Sequence, residues 1–586
     1  MNSSMLCSLR NPSAALARQI EDTVLNGADS NNLLVKGSCW AVARLVSAVV
    51  FPVFLTLELV FKKVPEMMIY SFTPQFQCVS DEAMKFLLAI IPSMLFGLYA
   101  PVGMPGFFLQ RTVNLQQVLP FGVERSFGTT LSRPIEYPMN AEDLQQVIQQ
   151  AIQSKQQVSV IGEGMSQGWQ TIPMDSDQCV IHTRKLKQIT VDVERNTVTV
   201  GAGVTWEELQ LRLDPVGKSS IVKQASDVFS IGGSIGINCH GWAHQEGAIA
   251  KTVMSLKIID ATGQIRILSR PRDEVLLEEL SDDEQLFKCM FGTMGYFGVV
   301  VEATLQIVDN EVLMEDVRQV DTREFERVYQ EIEHDSAIPL FGGRLSLDAI
   351  QGNPLREVAM LSYRKTAAQG VVAQRRIELE PVRGTRISRI GLQLLGYIPA
   401  FAARRLTSWF WSAENEAMGV GRTMTRNEAL HPPIKSFMML HDSNLNAQWL
   451  QEYFIKKGEL SSFLDFLGGT LKQHSVRLVN ATIRPTPKDT ISILPYAEQD
   501  RFAVVICFAQ QKTKAAMEKT KGWIQDVHEY LFANNGVFYQ AYMPYATRDQ
   551  FEKAYGLERI NVMHGMKEKF DPSHVFGNRH TQKYYD

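Results

Sequence analysis

Apolar and polar positions alternate in a way that marks the first regular elements of the chain. Val158 and Val160 alternate with polar neighbours and run into Ile161, which predicts a short, half-buried strand. Upstream, Asn140 stands where a helix N-cap is expected, with Asp143 at the third helical position. The apolar positions that follow share one helical face: Leu144, Val147, Ile148, Ala151 and Ile152. We therefore expect a helix followed by a strand.

The same alternation predicts two hairpins farther along the chain. A turn at residues 195–196 separates two alternating runs: Ile189, Val191 and Val193 before it, Val198 and Val200 after it. A second hairpin turns at residues 261–263, between runs at 256–260 and 264–268. Thr205 and Glu208 have the spacing of a capping box and predict a helix start between the two hairpins. Short strands with intervening helices indicate a layered α+β architecture.

Two glycine-rich segments carry the first candidate chemistry. The first glycine segment, residues 157–169, follows the predicted strand and contains Gly162, Gly164 and Gly168. Glycine allows the backbone to approach a ligand closely, so successive N–H groups can bind a pyrophosphate; an ordinary glycine-rich turn is the alternative. The second glycine segment, residues 230–242, lies about seventy residues downstream. Neither segment has the G-x-G-x-x-G pattern of the dinucleotide-binding fold.

Together these segments resemble the FAD-binding domain of the vanillyl-alcohol oxidase/p-cresol methylhydroxylase (PCMH-type) superfamily. A third glycine segment, residues 292–305, matches in the family's order. The resemblance implies that the first segment wraps the FAD pyrophosphate, the second follows the ribityl chain and flavin ring, and the third closes over the adenine side. It assigns these residues to FAD: Gly162, Glu163, Gly164, Met165, Ser166, Gln167, Gly168, Gly232, Gly233, Ser234, Gly236, Asn238, His240, Gly241, Val299 and Val300.

The last third of the chain resembles a branch of bacterial FAD-binding oxidoreductases. The matching pieces are residues 449–454, 480–488, 494–497 and 570–578. The resemblance implies a substrate domain whose sheet covers the flavin, with a C-terminus that returns to the FAD domain. The expected fold is thus α+β: an N-terminal segment at 1–129, a two-subdomain PCMH-type FAD-binding domain at 130–309, and a sheet-containing substrate (cap) domain at 310–586.

Composition narrows the class of protein. With 45% hydrophobic and 21% charged residues in 586, the chain is globular, and a net charge of −4 argues against a nucleic-acid binder. Its seven cysteines are odd in number and lack a C-x-x-C pair, which indicates free thiols in a reducing, cytoplasmic compartment. The histidines have no metal-ligand spacing, so we expect no metal site.

Two apolar runs near the N-terminus, at residues 45–57 and 86–99, are uncharged but shorter than the roughly twenty residues of a clear membrane span. They fit either buried helices or a membrane-associated hairpin or single span, and we favour membrane association. Arginines interleaved with apolar residues at 370–412 fit either an amphipathic surface helix or a helix packed on the cap domain.

Candidate catalytic residues come from the cap-domain matches. Arg484 lies on an alternating strand and is expected to stabilise the negative charge that hydride transfer leaves near the flavin N1–C2=O group; a solvent-facing strand-end arginine is the alternative. Glu452 and Tyr453 could take or relay the proton of a substrate hydroxyl, or form a structural pair. Tyr496 is a similar candidate. His240 is expected to contact the flavin region, with a structural histidine as the alternative.

One position departs from the family pattern. Many relatives carry a histidine in the first glycine segment that links covalently to the flavin, and the matching position here is Met165. A thioether forms no stable link of this kind, so we expect non-covalent FAD.

The sequence predicts an FAD-dependent oxidoreductase that oxidises an alcohol or lactone-type carbon by hydride transfer, with oxygen, a quinone or a protein as electron acceptor. The alternatives are an FAD-dependent reductase or dehydrogenase of a lipid-linked or sterol-like substrate and a non-catalytic, membrane-tethered flavoprotein.

Overall fold

The computed structural model describes residues 135–175, 177–273, 275–347, 354–367, 422–431, 446–511 and 513–586. The apolar runs at 45–57 and 86–99 and the arginine-rich stretch at 370–412 lie outside these ranges, as does the expected hydrophobic N-terminal segment. Within the described ranges, no helix is both long and apolar enough to cross a membrane.

The described chain begins with the predicted helix and strand. Helix α1, Ala141–Gln153, is capped by the Asn140 side chain, which accepts a hydrogen bond from the Asp143 N–H, and it buries Leu144, Ile148 and Ala151. Strand β1, Val158–Ile161, pairs in parallel with β2, Cys179–His182. The helix, its cap and the strand are confirmed, whereas the parallel partner carried no recognisable sequence signal.

A six-stranded antiparallel sheet follows. Its strands are β3 (Ile189–Asp192), β4 (Thr197–Gly201), β5 (Lys218–Ser220), β6 (Val253–Ile259), β7 (Ile265–Ser269) and β8 (Val299–Asp309), in the order β3-β4-β8-β6-β7 with β5 also on β8. Both predicted hairpins are confirmed. In the first, Asn196 turns the chain with φ of 51°, and in the second Gly263 does so with φ of 75°.

Three helices accompany this sheet: α2 (Trp206–Leu213), α3 (Ile231–Gly236) and α4 (Asp282–Cys289). The predicted capping box is confirmed at the start of α2, where the Thr205 side chain accepts from the Glu208 N–H and the Glu208 side chain reaches back to the Thr205 N–H. The helix α3 consists largely of small residues and is therefore able to present its backbone to a ligand.

The second half of the chain forms an eight-stranded sheet, here called the cap sheet. Its strands are β9 (Val312–Asp321), β10 (Leu340–Leu345), β11 (Glu357–Lys365), β12 (Arg422–Thr425), β13 (Asn446–Lys456), β14 (Leu478–Thr486), β15 (Arg501–Gln511) and β16 (Val537–Phe538), in the order β12-β9-β11-β10-β14-β15-β13-β16. Its accompanying helices are α5 (Phe325–Gln330), α6 (Arg426–Ala429), α7 (Leu460–Gln473) and α8 (Lys514–Ala533). The expected α+β class is confirmed.

The chain ends in three helices, α9 (Arg548–Tyr555), α10 (Leu557–Phe570) and α11 (Arg579–Tyr584). Between α10 and α11 the backbone runs beside β1: the Val158 N–H donates to the Val575 carbonyl at 2.6 Å, and the Gly577 N–H donates to the Val158 carbonyl at 3.1 Å. The end of the chain thus lies against the first strand described. The boundary expected after residue 309 falls between β8 and β9 and stays a prediction.

Candidate functional site

The first glycine segment leaves β1 and turns sharply. Gly164 adopts φ of 66°, a conformation that favours glycine. The amide groups of Gly164, Met165 and Ser166 donate to no acceptor within the described part of the chain. The segment closes at Gly168, whose N–H donates to the Gln170 side chain at 2.9 Å. A half-buried turn with several unused N–H donors is suited to an anion.

The second glycine segment packs directly on the first. The Ser230 side chain accepts from the Gly233 N–H at the start of α3, and a Cβ added to Gly162 would lie 2.3 Å from Ser230 Oγ. Glycine at 162 therefore allows the two segments to touch. By contrast, a Cβ added to Gly236 would meet nothing within 4 Å, so this face of α3 borders open space.

The end of the second segment is held more tightly. A Cβ added to Gly241 would lie 2.1 Å from the Lys223 carbonyl oxygen, which only glycine avoids. The third glycine segment reaches α3 from another side, because the Met294 N–H donates to the Gly236 carbonyl at 3.0 Å. All three glycine segments predicted from the sequence are therefore in contact in one region.

This region fits FAD. The unused amides at Gly164, Met165 and Ser166 can hold a pyrophosphate, and the open face beside Gly236 leaves room for the rest of the cofactor. The other residues assigned to FAD differ in surroundings. Val299 and Val300 lie in β8 and are nearly fully buried in the sheet core, and the side chains of Gln167, Ser234 and Asn238 bind other parts of the protein.

Two of these side-chain contacts hold the site together. The Gln167 amide donates to the Gln448 carbonyl at 3.0 Å and accepts from the Leu450 N–H at 3.1 Å, so the first glycine segment is bound to β13. The Asn238 amide donates to Asp489 Oδ2 at 2.8 Å, and Asn238 itself adopts φ of 51°. The first contact joins the FAD region to strand β13 of the cap sheet, and the second joins it to the loop that follows β14.

His240 and Glu452 meet where the second glycine segment faces β13. His240 Nε2 lies 2.5 Å from Glu452 Oε1, and both side chains are almost fully buried. The Tyr542 hydroxyl donates to Glu452 Oε2 at 3.3 Å. His240 Nδ1 is buried and has no hydrogen-bond partner within the described residues.

Aromatic rings surround the His240 imidazole. Its ring centroid lies 5.5 Å from that of Phe454, 5.8 Å from Tyr496 and 6.1 Å from Tyr539. The Tyr496 hydroxyl donates to the Asn238 carbonyl at 2.8 Å, and the Tyr539 hydroxyl to the Ile237 carbonyl at 2.7 Å. Burial raises the pKa of Tyr496 well above its usual value, so its phenol stays protonated.

Arg484 projects from the same face of the cap sheet as Phe454. Arg484 pairs with Ala503, and Ala503 pairs with Phe454, so these three side chains share one face. The Arg484 side chain is half-buried, and its Nε is buried without a hydrogen-bond partner among the described residues. Tyr453 points to the opposite face, where its ring meets Phe463 and His528, because neighbours along a strand alternate.

The pattern along the sequence did not single out three contributors to this site: Phe454, Tyr539 and Tyr542. The aromatic spacing at residues 538–545 was an available signal for the two tyrosines. In the ranges that the structure describes, no group of three or more His, Cys, Asp or Glu side chains could hold a metal ion.

Comparison with known proteins agrees with this geometry. Residues 134–269 match the family described as FAD binding domain. Over these residues the chain is similar to PCMH-type FAD-binding domains. This match supports FAD as the cofactor, and the matched residues contain the first two glycine segments described above.

The named relatives match this chain mainly over part of their own length. The chain is 31% identical to L-gulonolactone oxidase of Bos taurus over 183 residues, which cover 30% of this chain and 38% of that protein. It is 26% identical to decaprenylphosphoryl-beta-D-ribose oxidase of Mycolicibacterium smegmatis over 154 residues, 26% of this chain and 32% of that protein. A longer match, 21% identical over 411 residues, covers 67% of this chain and 73% of the FAD-linked oxidoreductase srdI of Neurospora crassa.

Proposed function

We propose that the protein is an FAD-dependent oxidoreductase that oxidises an alcohol or lactone-type carbon of a small molecule. The observation that carries the proposal is the contact of His240 with Glu452, which brings a proton-accepting pair from the cap sheet onto the second glycine segment. Relatives named as a gulonolactone oxidase and a galactonolactone dehydrogenase support the substrate class.

Different residues of the chain have distinct roles in this proposal. Bound FAD would supply the redox chemistry, as acceptor of a hydride from the substrate C–H bond. The amides of the first glycine segment hold the pyrophosphate, and the small residues of α3 admit the cofactor's ribityl chain. Arg484 supplies positive charge for the anion that develops on reduction. Phe454, Tyr496 and Tyr539 exclude water around His240, which strengthens electrostatic interactions there.

We propose that FAD is held without a covalent bond, since Met165 stands where relatives carry the linking histidine. The cysteine nearest to the site supports this reading. Burial raises the pKa of the Cys239 thiol to about 12, so the reactive thiolate is scarce at neutral pH.

Anaerobic reduction of the flavin tests the proposed function. Purified full-length protein is mixed without oxygen with a panel of sugar lactones, polyols and simple alcohols, and the visible flavin absorbance is followed. Dithionite added to a parallel sample gives the total reducible flavin. Loss of absorbance with any panel member supports the proposal and excludes the non-catalytic alternative. If dithionite reduces the flavin but no panel member does, the proposed substrate class is wrong.

A second candidate, a lipid-linked substrate, is favoured by the relative named decaprenylphosphoryl-beta-D-ribose oxidase and by the apolar runs at residues 45–57 and 86–99. This candidate implies that the N-terminal segment associates with a membrane and that the catalytic part lies in a reducing compartment. Adding polyprenyl-phosphate sugars to the same panel tests the substrate. Comparing membrane and soluble fractions of cells that express the full chain and a chain lacking residues 1–110 tests the association; recovery of both in the soluble fraction would refute it.

A further inference from the structure

The contact between His240 and Glu452 constrains where protons lie. His240 Nε2 lies 2.5 Å from Glu452 Oε1, and the Tyr542 hydroxyl donates to Glu452 Oε2 at 3.3 Å. Which group donates in the short contact depends on the tautomer of the histidine. When Glu452 is a carboxylate, the donor is His240 Nε2.

With its proton on Nε2, a neutral imidazole carries a free lone pair on Nδ1. His240 Nδ1 is buried and has no partner in the parts of the chain that the structure describes. A buried acceptor without a hydrogen bond is unfavourable, and a ligand hydroxyl would supply the missing donor. The unpartnered atom thus points to a donor that arrives with the substrate.

Few other groups near His240 could accept the proton of a substrate hydroxyl. The hydroxyls of Tyr496 and Tyr539 already donate to main-chain carbonyls of the second glycine segment. Glu452 is almost fully buried, and both of its oxygens lie in hydrogen-bond contacts, with His240 and with Tyr542. The titratable and charged groups around the imidazole are Glu452 from β13, Tyr496 and Tyr539 from the segments after β14 and β16, Cys239 beside it in the chain, and Arg484 from β14.

We propose that Nδ1 of His240 accepts the proton of the substrate hydroxyl, and that Glu452 is a positioning residue. This assignment rests on the proposed function. The substrate O–H bond breaks, its proton passes to Nδ1, and its electron pair becomes the second bond of the new carbonyl group. The C–H bond breaks at the carbon that bears this oxygen, and bound FAD would accept its hydride. The resulting imidazolium is stabilised by the Glu452 carboxylate on its other nitrogen.

The tautomer is measurable without any substrate. In FAD-loaded protein labelled with nitrogen-15 histidine, the two imidazole nitrogens give distinct signals, and the His240 signals are those absent from His240→Gln. We expect a protonated Nε2 and an unprotonated Nδ1 near neutral pH. A proton on Nδ1 in the neutral ring would overturn the assignment.

Kinetics with a substrate that bleaches the flavin complete the test. We expect His240→Gln to slow flavin reduction about a hundred- to ten-thousandfold, with the acidic limb of the pH profile lost. Glu452→Gln, which keeps the shape of the side chain, should retain FAD and move that limb to lower pH, because the imidazolium loses its carboxylate. His474→Gln on the end of α7 is the control and should match the unmodified protein.

The outcomes separate the two proposals. Suppose that a substrate bleaches the flavin of the unmodified protein and that the flavin of His240→Gln is reduced at the same rate. The proton-acceptor role is then wrong and the proposed function stands. An unshifted pH profile in Glu452→Gln contradicts the positioning role in the same way. If no substrate bleaches the flavin, the proposed function fails and the role of His240 fails with it.

Discussion

Gly164 combines two requirements at one residue. Its φ of 66° favours glycine, and its amide is one of the unused donors of the first glycine segment. We predict that Gly164→Glu abolishes FAD binding, because the side chain occupies the anion's place and its charge repels the phosphates. FAD content of the purified variant is the measurement.

Gly217 provides a matched control for this variant. It has nearly the same φ, 68°, it is exposed, and a Cβ there would meet nothing within 4 Å. Gly217→Glu should therefore impose the same backbone strain and charge while keeping stoichiometric FAD. A Gly164→Glu protein that stays yellow would show that the first glycine segment does not bind the pyrophosphate.

Met165 determines how the cofactor is attached. Without a nucleophilic side chain at this position, affinity has to come from many separate hydrogen bonds of about 1 kcal/mol each, more where the acceptor is charged. We predict that acid precipitation releases yellow FAD into the supernatant and leaves a colourless pellet. A pellet that stays yellow and fluoresces after denaturing electrophoresis would contradict this, and it would point to His240 or Cys239 as the attachment site.

At the scale of elements, the segment between α10 and α11 depends on one buried ion pair. Lys567 Nζ donates to Asp571 Oδ2 at 2.6 Å, and Asp571 also accepts from the Val575 and Phe576 N–H groups. Both charged side chains are essentially inaccessible to solvent. Lys567 also donates to the carbonyls of Tyr296 and Phe576, so the pair ties the C-terminal segment to the third glycine segment.

We predict that Asp571→Ala lowers the free energy of unfolding by about 3–5 kcal/mol, since it leaves a buried ammonium and two amides without their acceptor. Urea denaturation is the measurement. The control is Glu552→Ala, which breaks an exposed pair of the same spacing with Arg548 and should cost about 0.5 kcal/mol or less. Equal losses in the two variants would show that the Lys567–Asp571 pair has no special structural role.

The elements that the sequence predicted correctly are those that depend on near neighbours. The cap of α1, both hairpins and the Thr205 capping box involve residues a few positions apart, where periodicity and turn chemistry act directly. The contact of His240 with Glu452 spans 212 positions and depends on strand order in the cap sheet. No local pattern encodes that order, so sequence patterns pointed to the two residues as separate candidates and did not predict their contact.

For the whole molecule, buried histidines contribute to the response of stability to acid. His528 lies fully buried against Phe538, and both its ring nitrogens lack partners within the described residues. Burial lowers its pKa from 6.5 to about 3, with a smaller effect of nearby Lys583. Between these two values the unfolded chain binds a proton that the folded protein does not, so stability is full above pH 6.5 and is lost as the pH falls.

We predict that the urea midpoint falls steadily as the pH is lowered from 6.5 toward the folded pKa, and that His528→Phe reduces this dependence. Burial likewise lowers the pKa of His580 to about 4, so part of the dependence should remain in the variant. His474→Gln at the end of α7 is the control and should leave the slope unchanged. A His528→Phe protein with the full acid dependence would contradict the account.

The central claim is that substrate oxidation takes place where the cap sheet meets the second glycine segment, and Arg484 tests it most directly. The measurement is the anaerobic rate of flavin reduction after rapid mixing with a substrate that bleaches the unmodified protein. Arg484→Ala should keep its FAD and reduce it about a hundred- to thousandfold more slowly, because one stabiliser of the developing anion is gone. Arg364→Ala, which removes a half-buried arginine of the same sheet that pairs with Asp335, should react at the unmodified rate. An unchanged rate in Arg484→Ala would contradict the claim.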